Sequence, residues 1–161
     1  MLHDGNGWVH CRCGRRHWGL HGAAGLVLLG RPHLGEAPES VLLQLRAAWT
    51  HEGGTWGLPG GARDSHEDVV TAALREAREE VGLDPSAVRV VGRTVGADHG
   101  DWSYTYVLAR ADAGVQVRVG NEESDEIRWV PLDGVAGLLL HPALAPDWES
   151  LREVLRDVDA A

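Results

Sequence analysis

Two short apolar runs, each bounded by glycine or polar residues, stand out in the first third of the chain. The runs are AAGLVLL at 23–29 and VLLQLR at 41–46, and their lengths predict two buried strands. The segment between them, 31–40, predicts a loop, while the Gly/Pro-rich segment 51–61 cannot be helical and predicts a tight loop or a strand end. Residues 1–19 are rich in Gly, His and Arg and predict an irregular N-terminal extension with at most a short strand.

A helical periodicity follows over residues 67–81. Asp64 or Ser65 is a candidate N-cap, and Gly82 stands where a left-handed residue ends many helices. The apolar positions recur at helical spacing and form one stripe: Val70, Ala73, Leu74, Ala77 and Val81. This stripe predicts a helix that packs on a sheet.

The second half of the chain returns to strand patterns and ends in a helix. The predicted strands are 88–95, 103–110, 115–119 and 127–130. A short helix is predicted after Pro131, and Pro146 opens an amphipathic helix that extends to about Val158. Because strands and helices mix without strict alternation, we expect an α/β fold in which a mixed sheet is sandwiched between helices. With no repeat or linker, residues 1–161 are predicted to form one domain.

Composition and charge narrow the function classes. The chain has 161 residues, of which 43% are hydrophobic, enough for one core. Its formal net charge of −9 argues against stable nucleic-acid binding through phosphate neutralisation, and an acidic protein that handles phosphates needs cations. No apolar run approaches about 18 residues and no signal-peptide pattern is present, so we expect a cytoplasmic protein without membrane contact.

Three carboxylates fall close together on the predicted helix. At about 100° per residue, Glu76, Glu79 and Glu80 share an arc of roughly 100° beside the apolar stripe. Like charges at this spacing repel, and a hard divalent cation such as Mg²⁺ offsets the repulsion while leaving coordination positions for phosphates. The alternative from the residues alone is a solvated acidic face partnered by Arg75 and Arg78.

The segment from Gly61 to Leu83 resembles the Nudix box, G-x5-E-x7-R-E-U-x-E-E-x-G-U. Every fixed position is filled, and the one departure is Ala77, where the family usually has Ile, Leu or Val. An alanine there still lies on the apolar stripe, so it affects packing rather than chemistry. The resemblance implies the Nudix fold and divalent-metal-dependent hydrolysis of phosphoric anhydrides.

The resemblance also implies roles for individual residues. The implied ligands of Mg²⁺ or Mn²⁺ are Glu76, Glu79, Glu80 and the carbonyl of Gly60. The implied structural residues of the box are Gly61, Glu67 and Arg75. Glu123, six residues before Trp129, is the best candidate for a further ligand or general base, with Glu122 and Glu126 as competitors and a solvated acidic loop as the alternative.

The substrate class is expected from the family signatures that the sequence lacks. The family's further signatures for ADP-ribose and coenzyme A are missing, which favours hydrolysis of a nucleoside triphosphate, oxidised ones such as 8-oxo-dGTP included, to a monophosphate and pyrophosphate. The alternatives are cleavage of a nucleotide sugar, ADP-ribose or a dinucleoside polyphosphate, and a module that senses a nucleotide without turning it over. A metal-bound water attacks phosphorus in this mechanism, so Glu79, Glu80 and Glu123 are the catalytic candidates. A homodimer, common among relatives, is left open.

Several residues outside the box are weaker candidates. Trp56, Trp49 or Trp102 could stack on a base, although each is also a plausible core or rim residue. Arg46 is a candidate phosphate contact, and His99 with Asp101 is a candidate substrate contact. An N-terminal group contains His10, Cys11, Cys13, His17 and His21. Its spacing matches no standard zinc pair, so a structural Zn²⁺ at Cys11, Cys13 and His17 is not expected.

Overall fold

The computed structural model describes residues 3–31 and 39–160, with side chains described as far as residue 158. The strands are β1 (Trp8–His10), β2 (Arg16–Trp18), β3 (Ala23–Gly30), β4 (Ser40–Arg46), β5 (Trp56–Gly57), β6 (Gly60–Ala62), β7 (Val88–Asp98), β8 (Ser103–Ala111) and β9 (Ser124–Pro131). The helices are α1 (Val69–Val81) and α2 (Trp148–Ala160). Short 3₁₀ turns occupy Pro85–Ala87, Leu132–Gly137 and Ala145–Asp147.

Seven strands form one mixed sheet. Its path runs β5-β4-β3-β8-β7, with β6 paired to β3 and β9 paired to β4. The β3–β8 pair is parallel, and the other pairs of this sheet are antiparallel. β1 and β2 form a separate two-stranded hairpin. The predicted mixed sheet is therefore confirmed.

The central strand β3 contributes side chains to both faces of the sheet, as the period of two requires. Leu26 and Leu28 face α1, in a core that includes Leu42, Val81 and Val107. The opposite face carries a larger core against α2, with these members among others: Val27, Leu29, Leu43, Leu108, Trp148, Leu151 and Leu155. Burial on both faces explains why AAGLVLL reads as a continuous apolar run, and it confirms the predicted sandwich of helices around a sheet.

The start of α1 differs from the prediction. The N-cap is Asp68, whose Oδ1 accepts a hydrogen bond from Thr71 N at 2.7 Å, so the helix begins at Val69. Asp64 is unavailable as a cap because its Oδ1 accepts from Gly5 N at 2.8 Å, and Ser65 N donates instead to Asp4. Gly82 ends the helix with φ +64°, as predicted.

The buried side of α1 is also shifted slightly from the predicted stripe. Val70 and Leu74 are only half-buried, whereas Ala72 is fully buried together with Ala73, and Glu80 joins them with 5% exposure. Small residues let the helix approach the sheet closely, so the alanines, rather than the larger residues beside them, occupy the contact.

Residues 115–119 do not form the predicted strand. Their backbone crosses the C-terminal end of α1, where Arg118 N donates to Val81 O at 2.9 Å and Gly120 N donates to Glu80 O at 2.7 Å. The amides that a strand would offer to a neighbouring strand are thus used by the last helical carbonyls, which have no partner within the helix.

The strands predicted at 88–95 and 127–130 are present in the structure, but their first or last residues differ from the prediction. The strand predicted at 88–95 extends to Asp98, and the one predicted at 127–130 begins at Ser124. The N-terminal extension holds a hairpin rather than a single short strand. Most of the predicted loop 31–40 lies outside the described residues. Within residues 3–31 and 39–160, no helix is both long and apolar enough to cross a membrane.

Candidate active site

An arginine clamp fixes the first turns of α1 to the loop before it. Arg75 Nε lies 2.6 Å from Glu67 Oε1 and Arg75 Nη2 lies 3.0 Å from Glu67 Oε2, a bidentate pair with both side chains largely buried. Glu67 Oε2 also accepts from Asp64 N at 3.0 Å, and Arg75 Nη2 donates to Ala62 O at 3.0 Å. Hydrogen bonds from Arg75 hold the pKa of Glu67 below its ordinary value. This network joins β6, the loop and the helix.

The two glycines before α1 bring the backbone of β6 against the carboxylates of the helix. A Cβ on Gly61 would lie 2.7 Å from the carboxylate carbon of Glu76, so only glycine leaves room for that side chain. A Cβ on Gly60 would meet the backbone of Ala24 and Gly25 on β3. The absence of side chains at 60 and 61 therefore positions Glu76 directly over β6.

Glu80 is buried beneath this loop. Its Oε2 accepts hydrogen bonds from Gly60 N at 2.9 Å and from Gln44 Nε2 at 3.2 Å. Burial, with the charge of Glu76 as the next cause, raises the pKa of Glu80 to about 8. Burial also raises the pKa of Glu76, and Glu79 and Glu123 add to that shift. Without a cation, burial and mutual repulsion make the charged forms of Glu76 and Glu80 unfavourable.

Glu79 and Glu123 complete the carboxylate cluster from its open side. The Glu79 side chain is 47% exposed and lies 3.6 Å from Arg75 Nη1, which is also 2.9 Å from Glu76 Oε1. Glu123 is exposed in the loop before β9, and Ala47 N donates to its carbonyl at 2.8 Å. Its charge acts on both Glu76 and Glu80, so the loop lies within electrostatic reach of the helix. The competitor Glu126 is paired with Arg128 at 2.8 Å.

The charges of this cluster do not balance. Arg75 is in contact with Asp64, Glu67, Glu76 and Glu79, whereas the hydrogen-bond donors to Glu80 among the described residues are neutral, namely Gln44 and the Gly60 amide. Carboxylate oxygens that carry an excess of negative charge are the kind of ligand that Mg²⁺ and Mn²⁺ prefer. The residues present therefore fit a divalent cation held by Glu76, Glu79 and Glu80.

The weaker candidates from the sequence lie in different places. Arg46 Nε donates to His51 O at 2.8 Å, and the charge of Arg46 acts on Tyr104, which in turn is close enough to Glu80 to respond to its charge. Trp56 is 8% exposed, and the Arg128 guanidinium covers its ring at 4.7 Å. By contrast, Trp49 is 70% exposed on the turn after β4.

His99 and Trp102 pack against the N-terminal hairpin. Both rings stack on His17 with centroid distances of 4.5 Å, and Trp102 Nε1 donates to Trp18 O at 3.1 Å. Asp101 accepts from Arg12 N at 3.1 Å. The structure therefore gives these residues contacts with the hairpin, and their role toward a substrate stays a prediction.

Sequence reasoning missed three polar residues that support the carboxylates. Gln44, buried on β4, connects Glu80 to the loop that carries Glu123, because its Oε1 accepts from Ser124 Oγ at 2.7 Å. The signal was a single polar residue inside VLLQLR. The Tyr104 hydroxyl fills the space beside Gly25 and Gly60, and burial raises its pKa.

Comparison with known proteins decides the family. Residues 19–158 match the NUDIX domain family. The chain belongs to this family. A crystal structure of a Nudix hydrolase from M. smegmatis, RenU, is 48% identical, with a TM-score of 0.88 over 95% of this chain and 96% of that one. The match extends beyond the box to the whole sheet, so the carboxylates of α1 lie in the family's own framework.

Two proteins identified by sequence are similar over most of this chain. A Mycobacterium tuberculosis protein described as a candidate 8-oxo-dGTP diphosphatase is 49% identical over 156 residues, which are 92% of this chain and 70% of that protein. A Bifidobacterium longum nucleoside triphosphate pyrophosphatase/Nudix hydrolase fusion protein is 45% identical over 89% of this chain. The match spans only 30% of the fusion protein's length.

Proposed function

We propose that this Nudix protein hydrolyses the phosphoric anhydride of a nucleoside diphosphate linked to a further group, with a nucleoside triphosphate as the favoured substrate. The observation that carries the proposal is the carboxylate cluster of Glu76, Glu79 and Glu80, held against the glycine loop with more negative charge than Arg75 balances. Oxidised triphosphates such as 8-oxo-dGTP are included, because the Mycobacterium tuberculosis relative is described by that activity.

The chain's own residues would divide the work as follows. A divalent cation at Glu76, Glu79 and Glu80 would supply charge neutralisation for the phosphates and a lowered pKa for a bound water. Arg75 and Gln44 keep two of these carboxylates in position, and the Gly60 amide does the same for Glu80. Glu123, on the exposed side of the cluster, is the proposed acceptor of the proton that the attacking water loses.

The remaining substrate contacts come from the rim. Arg46 is the proposed phosphate contact, because its charge acts on Tyr104, which also responds to the charge of Glu80. Trp49 is the most exposed of the candidate aromatic platforms, and its turn begins at Ala47, which binds the Glu123 backbone. A flat exposed ring there suits a nucleobase.

Product analysis tests the proposal. The full chain is incubated with Mg²⁺ and normal and oxidised triphosphates, nucleotide sugars, ADP-ribose and dinucleoside polyphosphates, and the products are identified by mass spectrometry in ¹⁸O-labelled water. We expect a nucleoside monophosphate and pyrophosphate, with the label showing which phosphorus is attacked. A monophosphate with a sugar phosphate or second nucleotide would replace the favoured substrate, and binding without turnover of any compound would support the sensing module instead.

Glu123 has a matched control in the same loop. Glu123→Gln should reduce turnover strongly, whereas Glu122→Gln, an exposed neighbour that makes no described contact with the cluster, should leave it near wild type. Equal effects of the two substitutions would remove Glu123 from the proposed mechanism.

A further inference from the structure

The turn of the β1–β2 hairpin gathers three side chains that bind soft metals. The turn is closed by hydrogen bonds from Cys11 N to Arg15 O at 2.9 Å and from Gly14 N to Cys11 O at 3.0 Å, with Gly14 at φ +85°. It thereby brings Cys11 and Cys13 to His17 on β2. One ligand atom from each of the three residues lies within 4.8 Å of the other two.

The distances suit a tetrahedral ion. Zinc with Zn–S bonds of about 2.3 Å and Zn–N bonds of about 2.0 Å holds neighbouring sulfur and nitrogen ligands roughly 3.5 Å apart. Cys13 Sγ and His17 Nε2 are 3.3 Å apart. Both cysteines are free thiols, so both sulfurs are available. Two thiolates and an imidazole are ligands that zinc favours over magnesium.

The ligands are held in position by their surroundings. His99 and Trp102 both stack on the His17 ring, with interplanar angles of 7° and 15°, and their own centroids are 6.1 Å apart, so two neighbouring rings restrain the direction of its Nε2. Cys13 N donates to Cys11 Sγ at 3.3 Å, the type of backbone contact that supports a thiolate ligand. Little rearrangement would be needed for binding.

The hairpin itself needs additional stabilisation. Its strands have three residues each, and an isolated two-stranded hairpin is marginally stable at best in water. Trp8 packs on Trp18 at 5.2 Å and carries Arg16 over its ring at 4.4 Å, but these contacts lie at the open end of the hairpin. The turn is held by its own hydrogen bonds and by the contacts of Arg12 with Asp101, and a metal ion is a common staple for such a small unit.

We propose that Cys11, Cys13 and His17 form a Zn²⁺ site that closes the turn of the N-terminal hairpin, next to the loop between β7 and β8. The spacing in the sequence argued against such a site, and the folded turn supplies the proximity that the spacing does not show. Because Cys13 is exposed, solvent can fill the fourth coordination position. The site is separate from the carboxylate cluster. Its soft sulfur and nitrogen ligands contrast with the hard oxygen ligands of that cluster.

Cobalt spectroscopy tests the proposal directly. Untagged full-length protein is stripped with a chelator and titrated with Co²⁺, which gives a thiolate-to-cobalt charge-transfer band only when cysteine sulfur is a ligand. We expect the band to saturate at one ion per chain and to disappear when Zn²⁺ is added. Oxygen-rich groups such as Asp64, His66 and Glu67, whose ligand atoms also lie close together, cannot produce that band.

The variants are chosen to preserve the fold. Cys13→Ser changes one exposed atom, and His17→Phe removes the ligand nitrogen while keeping an aromatic ring stacked against His99 and Trp102. Both should weaken or abolish the band. His10→Ala, an exposed histidine of the same hairpin outside the cluster, should leave it unchanged. Wild-type protein without the band, or a band that survives in both variants, would overturn the proposal.

Thiol reactivity provides a second readout that needs no variant. In the metal-free protein, the exposed Cys13 should react readily with a thiol reagent, and Zn²⁺ should protect it. Equal reaction rates with and without Zn²⁺ would contradict the site. None of these readouts depends on turnover, so failure of the zinc site and failure of the proposed hydrolase activity are distinguishable.

Discussion

The carboxylate cluster on α1 and the Cys/His cluster on the hairpin are built in opposite ways. The first uses oxygen ligands on a long helix that packs on the main sheet, and its Glu80 is 5% exposed. The second uses sulfur and nitrogen on a hairpin of two three-residue strands outside that sheet, with Cys13 exposed. The contrast predicts a division by chemical hardness: a hard cation for the chemistry and a soft one for the hairpin.

The two clusters also differ in what the fold contributes. Arg75, Gln44 and the Gly60 amide restrain the carboxylates of α1, so that part of the molecule holds a charged site under strain without its cation. In the hairpin, His99 and Trp102 restrain a ring that needs no charge compensation. Metal removal should therefore increase the repulsion among the carboxylates of the first site and loosen the second.

The largest effect is expected from Glu80→Gln. Loss of a metal-ligand charge should cost several kcal/mol of transition-state stabilisation, or about a thousandfold in turnover. The fold should survive, because a neutral side chain of the same shape keeps its place under Gly60. Steady-state rates and thermal melts with and without Mg²⁺ check this: wild-type Tm should rise with Mg²⁺ and that of the variant should not. Glu149→Gln, exposed on α2, is the control, and near-normal rates for Glu80→Gln would exclude Glu80 as a ligand.

A smaller effect is expected from Gln44→Met, which keeps the volume and removes the side-chain hydrogen bonds to Leu58, Glu80 and Ser124. Residues that orient metal ligands typically contribute about 10- to 100-fold in metal affinity. A Mn²⁺ titration of activity should show the variant needing correspondingly more metal, with partial recovery of turnover at saturation. If the variant instead loses turnover at every metal concentration without a change in metal affinity, Gln44 acts on something other than the position of Glu80.

Glu67 predicts a pH dependence of stability. Its folded-state pKa lies below the ordinary value of 4.5, so the ionised group stabilises the fold above that pH, and the contribution is lost as pH falls through the folded-state pKa. Glu67→Gln should therefore lower the free energy of unfolding at pH 7 and flatten its decline below about pH 4.5. Urea unfolding at a series of pH values measures this. If the free energy of unfolding of Glu67→Gln falls with pH as steeply as that of the wild type, groups other than Glu67 cause the fall.

The smallest effect should be that of Cys13→Ser on hydrolysis. Sites that share no partners are usually additive, so the Mg²⁺-dependent rate should stay within about twofold of wild type. The hairpin cysteine touches none of the carboxylates or their hydrogen-bond partners in the described part of the chain. A large rate loss with an unchanged Mg²⁺ requirement would show that the two clusters are coupled through the stacked rings of His99 and Trp102.

Much of the fold follows from the hydrophobic pattern. The buried strands β3 and β4, the helix α1 and its end at Gly82 were predictable because each depends on local periodicity. Residues 115–119 were not, since their alternating valines are typical of a strand and only the folded helix supplies the carbonyls that take their amides. The N-cap was not predictable either. Gly5 N binds Asp64 and Asp4 binds Ser65, and only the folded N-terminal segment supplies these contacts.

The candidate site also has one part that local sequence predicts and one part that it does not. The box marks Glu76, Glu79 and Glu80 in the sequence because helical spacing alone places them together. The burial of Glu80 and its link through Gln44 to Ser124 depend on strand pairings far apart in the chain. The Cys/His cluster was underestimated for a similar reason, because a hairpin turn brings together residues whose spacing matches no standard zinc motif.

Metal replacement shows whether hydrolysis depends on a hard cation at Glu76, Glu79 and Glu80. Wild-type protein is stripped with excess EDTA, exchanged into metal-free buffer and assayed with 8-oxo-dGTP and dGTP after addition of Mg²⁺ alone or Zn²⁺ alone. We expect no release of pyrophosphate from the stripped protein and recovery with Mg²⁺ alone. Undiminished turnover in EDTA, or recovery with Zn²⁺ but not Mg²⁺, would contradict the assignment of the chemistry to the carboxylates of α1.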